Sequence, residues 1–451
     1  MTSAATQLGE QARSLLRRGP LPPRELIAAL GVSQPTLSRA LRTLGDDLVP
    51  LGAARSIQYA LRDASRLPLM APVYRASADG QLNELGTLIP VCPDGFVMAQ
   101  RDGIRLYSAG LPWWLHDMRP QGYLGRAYIH QHGSQLGLPS RLNDWNDSHV
   151  LRALLEQGSD LPGNLLIGQA ARDLFVNTAP PQPLPMKGKA QAYARLAAAA
   201  ARGAHHGSSA GGEQPKFTAY VHTPERPAHV IVKFTAQTDT PVSERWRDLL
   251  QAEHLALEVL RDHGVAAARS ALYNRESQRF LEVQRFDRAG PLGRRALLSM
   301  AALDAEFVGR GSRWPQVVRA LANERIVTSE SVAIVDVLWA FGVLTGNTDM
   351  HLGNLSFVSE HGRPYQVAPA YDMTCMAFAP TTGGEIPDRK LALDVSGDVS
   401  AMAWKQALVM ASDLLARLQG CNVLSERFRP CIAVLAAHLS EAGKRIARLT
   451  G

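Results

Sequence analysis

Apolar positions along the chain change period several times, and each change marks a candidate element. In the first segment Leu26, Ile27, Leu30, Val32, Leu37 and Leu41 recur at helical spacing and face inward. They predict three short helices. One runs from about Thr6 to Arg18 and stops at Gly19-Pro20. One covers Glu25 to Leu30 after the entry Pro22-Pro23. The third is capped by Ser33, has Pro35 in its first turn and runs to about Leu44. Gly31-Val32 makes the tight turn before it. Leu48 to Leu61 then alternates as a small hairpin does. Leu88 to Val91 and Phe96 to Met98 predict strands around a Pro-Asp-Gly turn, with Arg105 to Tyr107 as a third. Pro180, Pro181, Pro183 and Pro185 read as a stiff, extended linker. Beyond it come an Ala-rich helix from Lys189 to Arg202, strands over Phe217–Val221 and His229–Phe234, and a long helix from Glu244 to His263. A strand from Phe280, an apolar helix over Val332–Leu344 and a hairpin formed by Leu355–Val358 and Tyr365–Ala368 complete the pattern.

Composition narrows this picture. A chain of 451 residues exceeds one ordinary domain, and 46% apolar with 20% charged residues excludes wholesale disorder. No apolar stretch is long enough to span a membrane, and the N-terminus has no export signal, so a cytoplasmic location is expected. The four cysteines lack CxxC spacing, which argues against a zinc site or a disulfide framework. His130 and His132 read as ordinary histidines. The net charge of +7 is uneven, because residues 1–66 hold nine arginines against five acids. On the third helix Gln34, Thr36, Ser38, Arg39 and Arg42 face outward, and Arg55 lies near the hairpin tip. Hydrogen-bonding groups and positive charge on one face suit a DNA groove. A protein-interaction module is the alternative. The first 62 residues resemble winged helix-turn-helix regulators. In the next segment Trp113-Trp114 reads as packing.

Candidate chemistry lies further on. Ser208-Ser209-Ala210-Gly211-Gly212-Glu213-Gln214-Pro215-Lys216 is a small-residue loop that lets backbone N–H groups approach a phosphate. It is not a Walker A loop, since Glu213 stands where lysine is needed. Lys233 sits inside a β-branched strand and requires a partner; Glu253, beside the apolar face of the following helix, is the candidate. Gln284-Arg285-Phe286-Asp287-Arg288 ends a strand in a bend that suits a nucleotide hinge. Gly346-Asn347-Thr348-Asp349-Met350-His351-Leu352-Gly353-Asn354 carries the D-x4-N spacing of a kinase catalytic loop. Asp349 would accept a hydroxyl proton, and Asn354 with Asp372 would form an oxygen site for magnesium.

In order and spacing these segments resemble the HipA family of bacterial serine/threonine-protein kinases, the toxin kinases of type II toxin–antitoxin systems. The resemblance covers about residues 70–440 and is strongest from Ser209 to Asp372. It implies an α+β, two-lobed kinase-like fold preceded by the winged module. The domains are then residues 1–64, 67–176, 177–290 and 291–451. It implies ATP and Mg2+ as cofactors, autophosphorylation of Ser209, and nucleotide contacts from Gly211, Gly212, Gln214, Lys216, Lys233, Gln284, Arg285, Phe286, His351 and Asn354. It assigns the metal to Asn354 and Asp372. Gln284 departs from the family's glutamate. An unidentified protein is the substrate expected. HipA proteins work with a separate DNA-binding antitoxin, HipB; a module in the same chain would supply either built-in DNA binding or control in cis, so that a separate antitoxin is a partner the resemblance allows but does not require. A homodimer accords with paired DNA half-sites. Two other readings fit parts of the pattern. One is a small-molecule phosphotransferase of the aminoglycoside or choline kinase type, suggested by the D-x-H-x-x-N loop. The other is a DNA-binding regulator with a nucleotide-sensing, inactive core.

Overall fold

The computed structural model describes residues 4–52, 56–66, 70–202, 214–359, 362–381, 383–386 and 390–450. Helices Ala4–Leu16, Pro23–Leu30 and Gln34–Arg42 precede an antiparallel hairpin of Leu48–Leu51 with Gln58–Leu61. Ala12, Leu16, Leu26, Leu37 and Leu41 close a small core between them. Gly31, at φ 64°, ends the second helix. Ser33 occupies the N-cap position, but its hydroxyl meets that of Thr36 at 3.0 Å, not a backbone N–H as expected. Arg55 lies outside the described residues.

A five-stranded antiparallel sheet follows, in the order Arg105–Ser108, Gly95–Gln100, Leu82–Val91, Ala71–Ala76, Leu165–Ile167. Both faces are covered. Ile89, Val91 and Val97 pack on Val49, Leu51 and Ala60 of the N-terminal hairpin. Leu88, Phe96 and Met98 pack on Leu115, Met118, Val150 and Leu154. The N-terminal module is thus docked on this sheet, and Arg66 fastens the junction by donating to Val91 O and Gly95 O. Trp113 packs edge-on against Phe307, with ring centroids 5.2 Å apart. On helix Gly122–Leu136, His130 is exposed and His132 buried.

The proline-rich segment is not a free spacer. Leu184 pairs in parallel with Val221, so the segment borders the next sheet. That sheet has four antiparallel strands in the order Ser270–Arg275, Gln278–Gln284, Pro227–Phe234, Lys216–His222. Alternation along the strands sends Val230, Val232, Phe234 and Phe280 to one face, under helix Lys189–Ala201. The opposite face carries Lys233 towards helix Pro241–Asp262, which starts with a Thr240–Ser243 capping box.

The remaining lobe is helical. Helix Ser329–Thr345 is apolar nearly all round and lies in the middle of the largest core, with Trp314, Phe341, Trp404 and Met410 fully buried. Helices Ala401–Gly420 and Arg429–Thr450 pack against it or each other. A three-stranded sheet of Ala296–Ser299, Ser356–Ser359 and Gln366–Val367 lines its upper edge. The architecture is the α+β, two-lobed one expected. Among the described residues no helix is long and apolar enough to cross a membrane.

Candidate active site

A cleft of about 330 Å³ opens between the four-stranded sheet and the helical lobe. Its walls include Lys216, Lys233, Gln284, Arg285, Phe286, His351, Asn354 and Asp372. Each is delivered by its element. Lys216 and Lys233 are cross-strand neighbours in register and share a face. Lys233 Nζ donates to both carboxylate oxygens of Glu253, at 2.6 and 2.7 Å. It also lies 2.5 Å from Asp372 Oδ1. Glu253 is 1% exposed and accepts a further bond from Thr374 Oγ1 at 2.7 Å. Burial by itself would lower the Lys233 pKa, but Asp372 and Glu253 outweigh it and hold the ammonium above its ordinary value. Burial would likewise raise Asp372; Lys233 and then Lys216 overcome it and keep the carboxylate below the ordinary range.

The loop after helix Ser329–Thr345 forms the other wall. Gly346, at φ 74°, ends the helix and turns the chain. Asn347, 4% exposed, joins two parts of the site. Its Oδ1 accepts from Asp349 N at 3.0 Å, and its Nδ2 donates to Asp372 O at 3.3 Å. The side chain of Asp349 is 53% exposed, at the rim of the cleft. Asn354 Nδ2 donates to Asp349 O at 2.8 Å and to Asp349 Oδ2 at 3.3 Å, so its amide oxygen is directed elsewhere. His351 Nδ1 accepts from Gly353 N at 3.0 Å, and its Nε2 is 3.9 Å from Asp349 Oδ1. Tyr371 fixes the loop from below, donating to Gly353 O at 3.0 Å and meeting Ser356 Oγ at 2.7 Å. Asp372 itself has φ 54°, a left-handed conformation that is uncommon outside glycine.

The structure therefore brings Lys216, Lys233, Glu253, Asp349, His351, Asn354 and Asp372 into one neighbourhood. Ser209, Gly211 and Gly212 lie outside the described residues; Gln214 is half-buried just before the strand of Lys216. At the hinge the backbone N–H groups of Gln284 and Arg285 are already bonded, to Arg269 O and His229 O. The Arg285 guanidinium is held by Asp287, at 2.9 Å through each of two nitrogens. The ring of Phe286 lies 5.7 Å from that of Tyr371. Gln34, Arg39 and Arg42 are exposed on their helix, and Thr36 and Ser38 half-exposed. Asn347, Tyr371 and Thr374 carry no role in the sequence reading. All three lie within three residues of a charged site residue, the only signal that marked them. Among the described residues no cluster of three or more His, Cys, Asp or Glu could hold a metal.

Residues 208–437 match the model of a HipA-like C-terminal domain, and residues 68–176 that of a YjjJ-like toxin middle domain. Toxin YjjJ of Escherichia coli (strain K12) is 37% identical over 439 residues, which cover 97% of this chain and 99% of that protein. Two solved structures are distant likenesses. One is the HipA, HipB and operator DNA complex of the Shewanella oneidensis MR-1 toxin–antitoxin system: 15% identity, TM-score 0.49, covering 83% of this chain and 97% of that one. The other is the Helicobacter pylori proinflammatory kinase CtkA: 14% identity, TM-score 0.36, covering 51% and 88%. With a domain model spanning half its length and a relative aligned almost end to end, the chain belongs to the HipA-like toxin family.

Proposed function

We propose that the protein is an ATP- and Mg2+-dependent serine/threonine protein kinase of the cytoplasm that autophosphorylates on Ser209 and binds DNA through its N-terminal module. The observation that carries the kinase reading is the three-way contact of Lys233 with Glu253 and Asp372 in the cleft that Asn354 also lines. The donor set fits a nucleotide with a hard cation. Two lysines supply fixed positive charge for phosphates, while the Asp372 carboxylate and the Asn354 amide oxygen are hard ligands. A site with few protein ligands suits magnesium, which keeps waters and phosphate oxygens in its shell. Bound ATP with Mg2+ would supply the γ-phosphoryl group.

This chain's own residues do the rest. Lys233, kept charged by its two carboxylates, neutralises phosphate oxygens. Asp349, at the solvent edge, orients a substrate hydroxyl and takes its proton. Asn354 fixes Asp349 through its amide N–H, and its oxygen would be free to hold the metal. Phosphoryl transfer depends on positioning and charge neutralisation more than on covalent chemistry, so such a set suffices.

Incubation with γ-labelled ATP tests this directly. Wild type transfers label to protein, with Ser209 phosphate found by mass spectrometry. Asp349→Ala binds ATP but transfers none; retained transfer would contradict the assignment. The exposed Gln34, Arg39 and Arg42 and the basic first segment support the DNA reading. Affinity for duplex DNA should fall steeply with salt and weaken in Arg39→Ala or Arg42→Ala. Salt-insensitive or absent binding removes that role.

A further inference from the structure

Beside the catalytic loop lies a short basic turn that the chemistry above does not use. Asp304, 5% exposed on helix Met300–Phe307, holds the residues that follow that helix. Its carbonyl accepts from Val308 N at 3.0 Å and Gly309 N at 2.6 Å. Its carboxylate accepts from Arg310 N at 3.2 Å and Gly311 N at 2.8 Å. Gly309 and Gly311, at φ 68° and 59°, take a left-handed conformation that only glycine adopts without strain. Arg310, between them, is thus presented to solvent on a fixed backbone. Arg313 stands at the N-cap of helix Trp314–Asn323, where it makes no capping bond and a cation opposes the helix dipole. Helix stability does not account for it.

The turn is bound to the loop that carries Asp349. Trp314 Nε1 donates to His351 O at 3.0 Å, and His351 Nε2 is 3.9 Å from Asp349 Oδ1. On its other side Arg313 Nη2 lies 2.7 Å from Asp394 Oδ2. Leu391, in the same segment as Asp394, packs so closely on Gly346 that a Cβ there would come within 2.8 Å of it. Lys390, exposed next to Leu391, adds a third positive charge. Among the described residues neither Arg310 nor Lys390 has an acidic partner. The side chains of Arg313 and Asp394 are 44% and 53% exposed, and a surface pair of that kind is weak and readily exchanged.

Resting on the kinase reading above, we infer that Arg310, Arg313 and Lys390 bind acidic side chains of the protein substrate, next to the hydroxyl that Asp349 receives. The planar fork of arginine meets a carboxylate through two parallel bonds. The fixed backbone of Arg310 lowers the ordering cost of that contact. An incoming acid displaces Asp394 from Arg313. A nucleic-acid backbone suits the patch less well, because the carboxylates of Asp349 and Asp394 lie beside its three cations and repel closely spaced phosphates. The two arginines determine specificity and take no part in phosphoryl transfer itself.

Synthetic peptides, each with one serine flanked by glutamates, by alanines or by lysines, test this with the full chain, labelled ATP and Mg2+. Wild type should use the glutamate peptide with a kcat/KM about tenfold above the alanine peptide, the scale for two exposed charge pairs together. Arg310→Ala with Arg313→Ala should remove that preference through KM for the peptide, with KM for ATP unchanged. Arg310→Glu with Arg313→Glu should shift the preference to the lysine peptide. Both side chains are exposed, so these variants should fold. Equal use of the three peptides by the wild type, use of none by a chain that labels itself, or a preference that survives in the alanine variant overturns the inference. So does a raised KM for ATP, which assigns the arginines to the nucleotide, or a loss of duplex DNA binding with no peptide preference, which assigns them to DNA. A wild type that transfers no label even to itself overturns the kinase reading, and this is seen before any peptide is added.

Discussion

The four-stranded sheet carries a buried lysine–glutamate pair on each face, and the two behave as opposites. On the outer face Lys189 donates to Glu282 Oε2 at 3.0 Å, His222 O at 2.7 Å and the Tyr273 hydroxyl at 3.1 Å. An ammonium has three protons, so Lys189 is saturated. Tyr193 also donates to Glu282. Lys189 is 1% exposed and opens its helix, where a cation opposes the helix dipole; Glu282 offsets that penalty. On the inner face Lys233 also has three oxygen partners, but one of them, Asp372, has a side chain 29% exposed to the cleft. A partner at the cleft surface can be exchanged for an incoming ligand. Burial and pairing alone thus do not distinguish the two lysines; the exposure of one partner to the cleft does.

Breaking each pair should separate the two roles. The largest effect expected is on catalysis. Lys233→Met should lower phosphoryl transfer by about 100-fold or more, the scale for removing one preorganised charge contact. Transfer assayed with labelled ATP checks this, and near-wild-type rates would erase the distinction. Lys189→Met should instead cost stability, about 3–5 kcal/mol, because Glu282 is left buried without its counter-ion, held by Tyr193 alone. Denaturant unfolding measures that loss, while transfer by the folded fraction should stay within about twofold. A large drop in kcat at full folding would make the outer pair functional too.

Smaller effects sharpen the comparison. Thr374→Val removes the bond to Glu253 and should lower transfer a few-fold, through a misplaced Glu253, with a stability loss of about 1 kcal/mol. An unchanged rate would show that Lys233 alone positions Glu253. Last, acid should reach the buried histidines before Asp372. Burial depresses the pKa values of His229 and His438, so stability is full above about pH 6.5 and declines as pH falls below it. Asp372 is held below the ordinary carboxylate range, so its pair with Lys233 persists through that interval. Unfolding midpoints between pH 7.5 and 5.5 should therefore fall while ATP binding holds; parallel loss would contradict this.

The contrast also explains what the sequence revealed. Lys233 stood out because it interrupts a β-branched run, and Asp349 and Asn354 because both lie in one short loop. Such local signals survive without coordinates. Lys189 heads an Ala-rich helix and carried no role in the sequence reading, since Glu282 lies 93 positions away on a strand whose inward face only the sheet defines. Arg288 donates to Asp160, likewise 128 positions away. Arg285 was assigned to the nucleotide by motif, yet its guanidinium is engaged by Asp287. Neighbouring elements came through as periodicity, and the proline segment as a spacer, because its pairing through Leu184 needs only backbone atoms that composition does not report.

The account rests on one meeting of charges, in which Asp372 faces both Lys233 and the space a magnesium nucleotide would fill. Calorimetric titration of ATP into wild type and Asp372→Asn, each with and without Mg2+, tests it most directly. Wild-type affinity should rise with Mg2+, and the variant should bind ATP with no such dependence. Identical Mg2+ dependence in the two proteins, or no binding of ATP to the wild type, would contradict it.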